Sequence, residues 1–411
     1  MPTIKLRHIY FISAVIAVAL IYIRMLSSQF VLGTTTFDHP YGQFVGALII
    51  AGVAWLCLIY GLKRYQLAHK DLFILLGVAI LSRVIFIGST PIYEDDWNRY
   101  LWDGAVTAKG VNPYDYAPEQ VYEAEAADRP ALLKLKAMDE THGDQTKRIN
   151  YPELRTIYPP VAQALFTLAA IIKPFSLDSL RALYIATDIL SFFLLYKVLQ
   201  AYGRDPSWAL LYALNPLLIY SGFNAAHMDI LLLPPLLLCL LWVKNGQAPF
   251  RAAGALAVAS AVKLWPLLLA PIIFRHWRKD YVTYVMIAAT VAFLSLILNW
   301  PLIASIWAET GSESGVLAYT KTWQRSSFIF STLHFFLEPL MDDPGRILRY
   351  CVALSVTVIS LYYGFIAKDE ADKLPLAMMV TTSALLFLSP TGFPWYLYWV
   401  CLLYTSDAAD D

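Results

Sequence analysis

From Gln43 to Leu62 the chain carries no charged side chain, and similar apolar stretches recur along most of its length. Inside a hydrocarbon layer every backbone N–H and C=O must find a partner within its own segment, so a run of about 17 to 25 apolar residues crosses as a helix. The blocks therefore predict an all-α fold, a polytopic transmembrane helical bundle with no sheet. Composition agrees, with 58% of the 411 residues hydrophobic and 15% charged, values outside the range of water-soluble domains. Basic and acidic residues balance at 31 each, which removes the general basic field that would argue for nucleic acid as a partner. Cys57, Cys239, Cys351 and Cys401 lie in or beside apolar runs without metal-ligand spacing, and read as packing residues.

Lys5 and Arg7 precede the first run, Ile9 to Ile23, and Arg24 with its bulky neighbours offers no cleavage site. The run is read as the first helix, with a cytoplasmic amino terminus. Helix two returns to "LKRYQLAHK", and a third, Asp71 to Gly88, runs outward again. Residues 91–157 are then an extracytoplasmic loop, in which "LLKLKAMDETHGDQTKRIN" suits short amphipathic helices lying on the surface. Further blocks bring the expected number of spans to about 11 to 13. "FRHWRKD", 274 to 280, is a cytoplasmic turn, which puts "NWPLIASIWAETGSESGVLAYTKTWQRSS" outside; between 173 and 251 cations flank every short loop, so no side is assigned. The block Ala252 to Phe274 is either one span or two half-helices broken at "KLWP", since Pro266 removes a helix donor. The stretch from Cys401 to Asp411 resembles the in-frame translation of a transposon-type sequencing adapter. Residues 1–400 are accordingly read as one transmembrane domain and 401–411 as a non-native tail, the alternative being a genuine short acidic end.

Glu94, Asp95 and Asp96 stand together where the chain leaves the third helix. In a helical "EDDWNRYLWDG", Asp95, Asp96, Arg99, Trp102 and Asp103 would share adjoining faces of two turns, bringing carboxylates, a guanidinium and an indole together. A partly desolvated carboxylate in such a cluster can accept a proton near neutral pH, and an indole offers a face for a sugar ring. The competing reading is a solvated acidic turn at a helix start.

Several stretches carry a resemblance: "DDWNRYLWDG" with "GVNPY", "IYPPVAQ", "NPLLIYSGFNAAHMD", "AVKLWPLLLAP", "YTKTWQRSSFIF" and "SPTGFPWYLYW". In this order they resemble the GT-C superfamily of membrane glycosyltransferases, and within it bacterial mannosyltransferase-like members that use polyprenyl-phosphomannose. The resemblance implies an inverting hexosyl transfer, with mannose the expected sugar, from a polyprenyl phosphate to a glycan or glycolipid acceptor outside the cytoplasmic membrane. It makes Asp95 the first candidate for general base and Asp96 the second, and leaves a divalent metal on these acids open, with no other cofactor expected. Glu94, Arg99, Trp102 and Asp103 are candidates for substrate binding from the same loop.

A phosphate leaving group asks for positive charge beside the departing oxygens. Arg99, Lys263 amid the apolar residues of "ALAVASAVKLWPLLLAP", and Arg325 in "TKTWQRSS" are candidates, as is Trp323 for stacking on a sugar. Lys263 can instead snorkel to an interface, Arg325 lie solvated and Trp323 anchor the chain at the bilayer surface. His227 and Asp229 in "NAAHMD" match a stretch expected near the site, though Asp229 can equally cap a helix. Arg83 and Asp188 are intramembrane charges expected to be paired inside the bundle. A transporter or flippase would place its chemistry at the membrane midplane in repeated halves, and no such repeat is visible. A lipid-linked glycan ligase or polymerase would leave the early acids unexplained.

Overall fold

The computed structural model describes residues 5–30, 39–125, 129–246, 248–308, 314–325, 327–368 and 370–407. The end of the expected tail, 408–411, and the 309–313 part of the expected outer stretch lie outside the described residues. Among those described, helices take the place of any sheet, with one isolated bridge between Arg325 and Thr391.

The elements follow the apolar blocks. α1 (Leu6–Leu26) and α2 (Tyr41–Leu62) pack along one another, and α3 (His69–Val84) joins them. The interval from 91 to 157 contributes α4 (Asp96–Ala108), α5 (Pro118–Tyr122) and α6 (Pro130–Thr141) before α7 (Pro160–Ile172) and α8 (Leu177–Ala201) resume the bundle. Then come α9 (Ala209–Ala213), α10 (Pro216–Ile219), α11 (Leu233–Lys244), α12 (Pro249–Ser260) and α13 (Ala270–Ile273). The last third holds α14 (Tyr281–Ala308), α15 (Gly315–Thr322), α16 (Phe328–Leu337), α17 (Pro344–Leu361), α18 (Leu374–Leu388) and α19 (Leu397–Asp407).

Among the described residues, five helical stretches are long and apolar enough to cross a membrane: Leu6–Gln29, Tyr41–Leu62, Leu177–Ala201, Tyr281–Trp307 and Pro344–Ile366. Pro216–Asn224 and Met228–Lys244, bent by 107° where they meet, make a sixth if counted as one. The expected figure of about 11 to 13 rested on counting apolar blocks against a crossing length. Several of those blocks are shorter helices, Pro160–Ile172, Phe328–Leu340, Leu374–Leu388 and Pro394–Leu403 among them. The block from Ala252 to Phe274 is broken: α12 ends at Ser260, and a 3-10 turn, Trp265–Leu269, carries Pro266 before α13.

Two features fix the 91–157 loop over the bundle. α4, α5 and α6 gather around a small core of their own, containing Trp102, Val106, Val121, Leu135 and Met138. α4 is also pressed onto α7 at Gly104, where a Cβ would lie 2.2 Å from the Phe166 carbonyl oxygen, and Tyr100 stacks on the Phe166 ring at 4.7 Å. Inside the bundle the two intramembrane charges are each other's partners: the Arg83 guanidinium donates to the Asp188 carboxylate, which also accepts from the Tyr212 hydroxyl. Cys239 and Cys401 are buried, whereas Cys57 and Cys351 lie on the outer surface and are not packing residues.

Candidate active site

α4 begins at Asp96, so Asp95 is its N-cap residue and Glu94 lies just outside, with Glu94 Oε1 accepting the Asp96 backbone N–H at 3.3 Å. Negative charge is favoured at this end of a helix. The amide of Asn150 donates to Asp95 Oδ1 at 2.7 Å and to Asp96 Oδ1 at 3.3 Å, tying both carboxylates to one group. On the other side His227 Nε2 lies 3.0 Å from Glu94 Oε2. The imidazole is held by a stack on Trp395, with ring centroids 3.4 Å apart, and by the Tyr100 hydroxyl 3.4 Å from Nδ1. Burial, with the Glu94 charge second, raises Asp95 above the ordinary carboxylate range and lifts Asp96 to about 6. Burial likewise pushes Tyr100 well up, so its hydroxyl stays protonated.

Glu94, Asp96 and His227 bring two carboxylate oxygens and an imidazole nitrogen within 4.8 Å of one another. That spacing and mixed oxygen and nitrogen donor set fit a divalent cation, and the ring stacked on Trp395 is already oriented toward the carboxylates.

Two residues beyond His227 the same bend supplies a second centre. Asp229, 1% exposed, accepts from Trp399 Nε1 at 2.7 Å and from Lys263 Nζ at 2.9 Å. The ammonium of Lys263 sits 4.1 Å from the centroid of Tyr396 and 4.8 Å from that of Trp399, where ring faces favour a cation. Lys263 occupies the break between α12 and the Pro266 turn, where the irregular backbone lines a cavity. Its side chain is 26% exposed and opens on a cleft.

The cleft encloses about 1220 Å³ and is lined by Glu94, Asp95, Asp96 and Asn150 on one side and by Asp229 and Lys263 on another. Aromatic rings from Tyr319, Trp395, Tyr396 and Trp399 form much of the remaining wall. Trp323 and Arg325 line it too; Trp323 rests on Tyr151 at 4.9 Å, and the Arg325 backbone is pinned between Pro390 and Gly392. The Arg325 side chain is exposed.

Three residues expected in the acidic cluster stand away from the cleft. Because the helix starts at Asp96, Asp95 is not on a helical face with Arg99, and Arg99 turns instead to Asp103 one turn on, at 2.9 Å, and to the Leu154 carbonyl at 2.9 Å. Asp103 is buried and also accepts from Thr156 at 2.5 Å and Gln163 at 2.9 Å. Trp102 lies in the small loop core. All three hold the loop on the bundle. Reading the sequence missed Asn150, Tyr100 and the ring wall of Trp395, Tyr396 and Trp399. The run "FPWYLYW" signals that wall by aromatic density, whereas nothing around Asn150 marks it.

Fold and site together define an integral membrane protein with a deep cleft of carboxylates, a caged cation and aromatic rings. Residues 156–390, more than half of the chain, match the model of glycosyltransferase family 87, and the chain belongs to that family. It is thus a membrane glycosyltransferase. The match covers His227, Asp229, Lys263, Trp323 and Arg325, while Glu94, Asp95 and Asp96 precede it. Comparison with curated proteins and with solved structures gives no match.

Proposed function

We propose that this glycosyltransferase is an inverting enzyme of the GT-C type that moves a hexose, mannose first among them, from a polyprenyl phosphate to an extracytoplasmic glycan or glycolipid. The observation that carries the reading is the bend His227–Met228–Asp229, which joins a carboxylate cluster to a caged lysine within one cleft. Transfer from a lipid phosphate needs both parts. An acceptor hydroxyl must lose its proton as its oxygen forms a bond to the anomeric carbon. The bond from that carbon to the phosphate oxygen breaks with its electron pair, leaving a phosphate that needs positive charge nearby.

In this chain Asp96 is the preferred base, because a carboxyl at about 6 is ionised at neutral pH yet basic enough to take a proton. Asp95, tied more closely to Asn150, orients the acceptor. Lys263 has one N–H on Asp229 and directs its others toward the cleft, where the donor phosphate is held, with Arg325 at the rim as a second cation. Trp323 and the Tyr396 and Trp399 faces pack the apolar sides of sugar and lipid. A divalent cation on Glu94, Asp96 and His227 would add positive charge to stabilise developing negative charge, and with Asp96 engaged in this way the base would be Asp95. The amino terminus is cytoplasmic in this reading and the cleft faces outward.

The test uses purified protein with polyprenyl-phosphate mannose, polyprenyl-phosphate glucose and a nucleotide sugar, scoring sugar release with and without chelator. Release from one lipid donor, lost in both Asp95→Asn and Asp96→Asn, is expected. Release from the nucleotide sugar alone, or full activity in both variants, contradicts it.

A further inference from the structure

Asn224 closes the helical stretch before the 107° bend, and it is fully buried. Its Oδ1 accepts from the Ile92 backbone N–H at 2.9 Å, while Nδ2 donates to the Thr90 carbonyl at 2.9 Å and to Ser89 Oγ at 3.1 Å. Its own carbonyl accepts from Arg181 Nη2 at 2.7 Å, and Arg181 Nη1 donates to the Ser89 carbonyl at 2.8 Å. Tyr220, on the same stretch, donates its hydroxyl to the Ile92 carbonyl at 2.7 Å. The segment from Ser89 to Ile92 is thereby fastened to the bend.

From this knot two arms run to the site. One passes from Ile92 to Glu94, the other from Asn224 to His227, and they meet where His227 Nε2 approaches Glu94 Oε2 at 3.0 Å. Each arm goes through a non-glycine residue in left-handed backbone, Tyr93 at φ 61° and Ala226 at φ 59°. L-residues adopt that conformation rarely, and hold it where the surroundings over-determine it. The arms thus form a closed ring, with the amide of Asn224 at one end and the Glu94–His227 contact at the other.

We propose that Asn224 is a positioning residue for the reaction, its side chain clamping the acidic arm to the bend so that Glu94, Asp95 and Asp96 are held against His227. Asn224 does not itself line the cleft, and acts only through these residues. The kinetic part of the inference rests on the glycosyl-transfer reading above; the clamp itself does not. A misplacement of about 1 Å at a catalytic group costs on the order of a hundredfold in rate, and that is the expected fall in kcat for Asn224→Ala. The donor end stays anchored through Lys263, Asp229 and Trp399, so the KM for donor is expected to move by less than about threefold. Asn224→Asp keeps the acceptor for the Ile92 N–H and is expected to recover about tenfold of the lost rate.

Hydrogen–deuterium exchange of wild type and Asn224→Ala reads the clamp without any assay of transfer. Exchange over residues 89–96 is expected to rise in the variant while that of α8 is unchanged. Faster exchange over 89–96 with the kcat loss and partial recovery in Asn224→Asp sustains the proposal. Unchanged exchange over 89–96, or a kcat that falls only in step with the folded fraction, overturns it. Should Asn224→Ala fail to fold, Asn224→Ser shortens the clamping side chain away from Ile92 and Thr90 while keeping a polar group there. Unchanged exchange over 89–96 in that variant overturns the clamp equally. A wild-type protein silent with every donor, yet with residues 89–96 released in the variant, would overturn the proposed function and leave the clamp standing.

Discussion

Arg83 and Lys263 are both cations set among apolar residues, each bonded to an aspartate that has a second donor. The second donor is the Tyr212 hydroxyl for Asp188 and the Trp399 indole for Asp229. Each cation lies over two aromatic rings, Phe192 and Phe223 for Arg83, Tyr396 and Trp399 for Lys263. They differ in what is left over. The Arg83 and Asp188 side chains are 2% and 0% exposed, and the guanidinium spends further donors on the carbonyls of Ala79 and Ala213. The Lys263 side chain is 26% exposed and keeps donors free for the cleft. A closed pair can only hold helices together, while an open one can meet an anion. An intramembrane charge therefore signals function only when its hydrogen-bonding capacity is unfilled.

Substitution separates the two pairs most sharply through stability. Arg83→Met leaves Asp188 buried without its cation and is expected to cost about 3–5 kcal/mol, enough to abolish folded protein in a detergent melting experiment. Lys263→Met also leaves a buried carboxylate, but Asp229 lines the cleft and keeps the Trp399 indole, so the variant is expected to lose less stability than Arg83→Met. Equal losses in the two variants would erase the distinction.

The next effect is on the donor. Charge-assisted hydrogen bonds are worth about 1.5–3 kcal/mol, so Lys263→Ala is expected to raise the donor KM by about tenfold to a hundredfold with the acceptor KM little changed. An unchanged donor KM would return Lys263 to a packing role.

The smallest effect belongs to the carboxylates at the open end. Burial raises Asp96 to about 6, with Glu94 the second cause. The base must be ionised to accept a proton, so kcat/KM of metal-depleted enzyme is expected to fall as pH drops through about 6. Glu94→Gln removes a neighbouring negative charge and should move that limb to lower pH by less than about one unit. A limb fixed in place, or moved upward, would show that Glu94 does not act on Asp96.

The helical, membrane-spanning character of the chain was legible because burial in lipid writes itself as uninterrupted apolar sequence. The acids, His227, Asp229 and Lys263 were legible because charge in or beside such sequence is conspicuous. What stayed hidden depends on geometry that no local pattern encodes. Arg99 has acids on both sides of it in sequence, and it pairs with Asp103 one turn on and not with Asp96 one turn back. Asn150 reaches the carboxylates from far along the loop, and its neighbours "TKRIN" look like any solvated turn. Apolar blocks such as Pro160–Ile172 look like spans until the helix length is known.

In the proposed reaction Lys263 is the open cation that meets the lipid phosphate. The deciding measurement is the affinity of a polyprenyl phosphate, carrying no sugar, for wild type and for Lys263→Ala at matched melting temperature. A loss of at least about tenfold in the variant is predicted, corresponding to about 1.4 kcal/mol. Equal affinity in both proteins would contradict the claim that the caged lysine holds the donor.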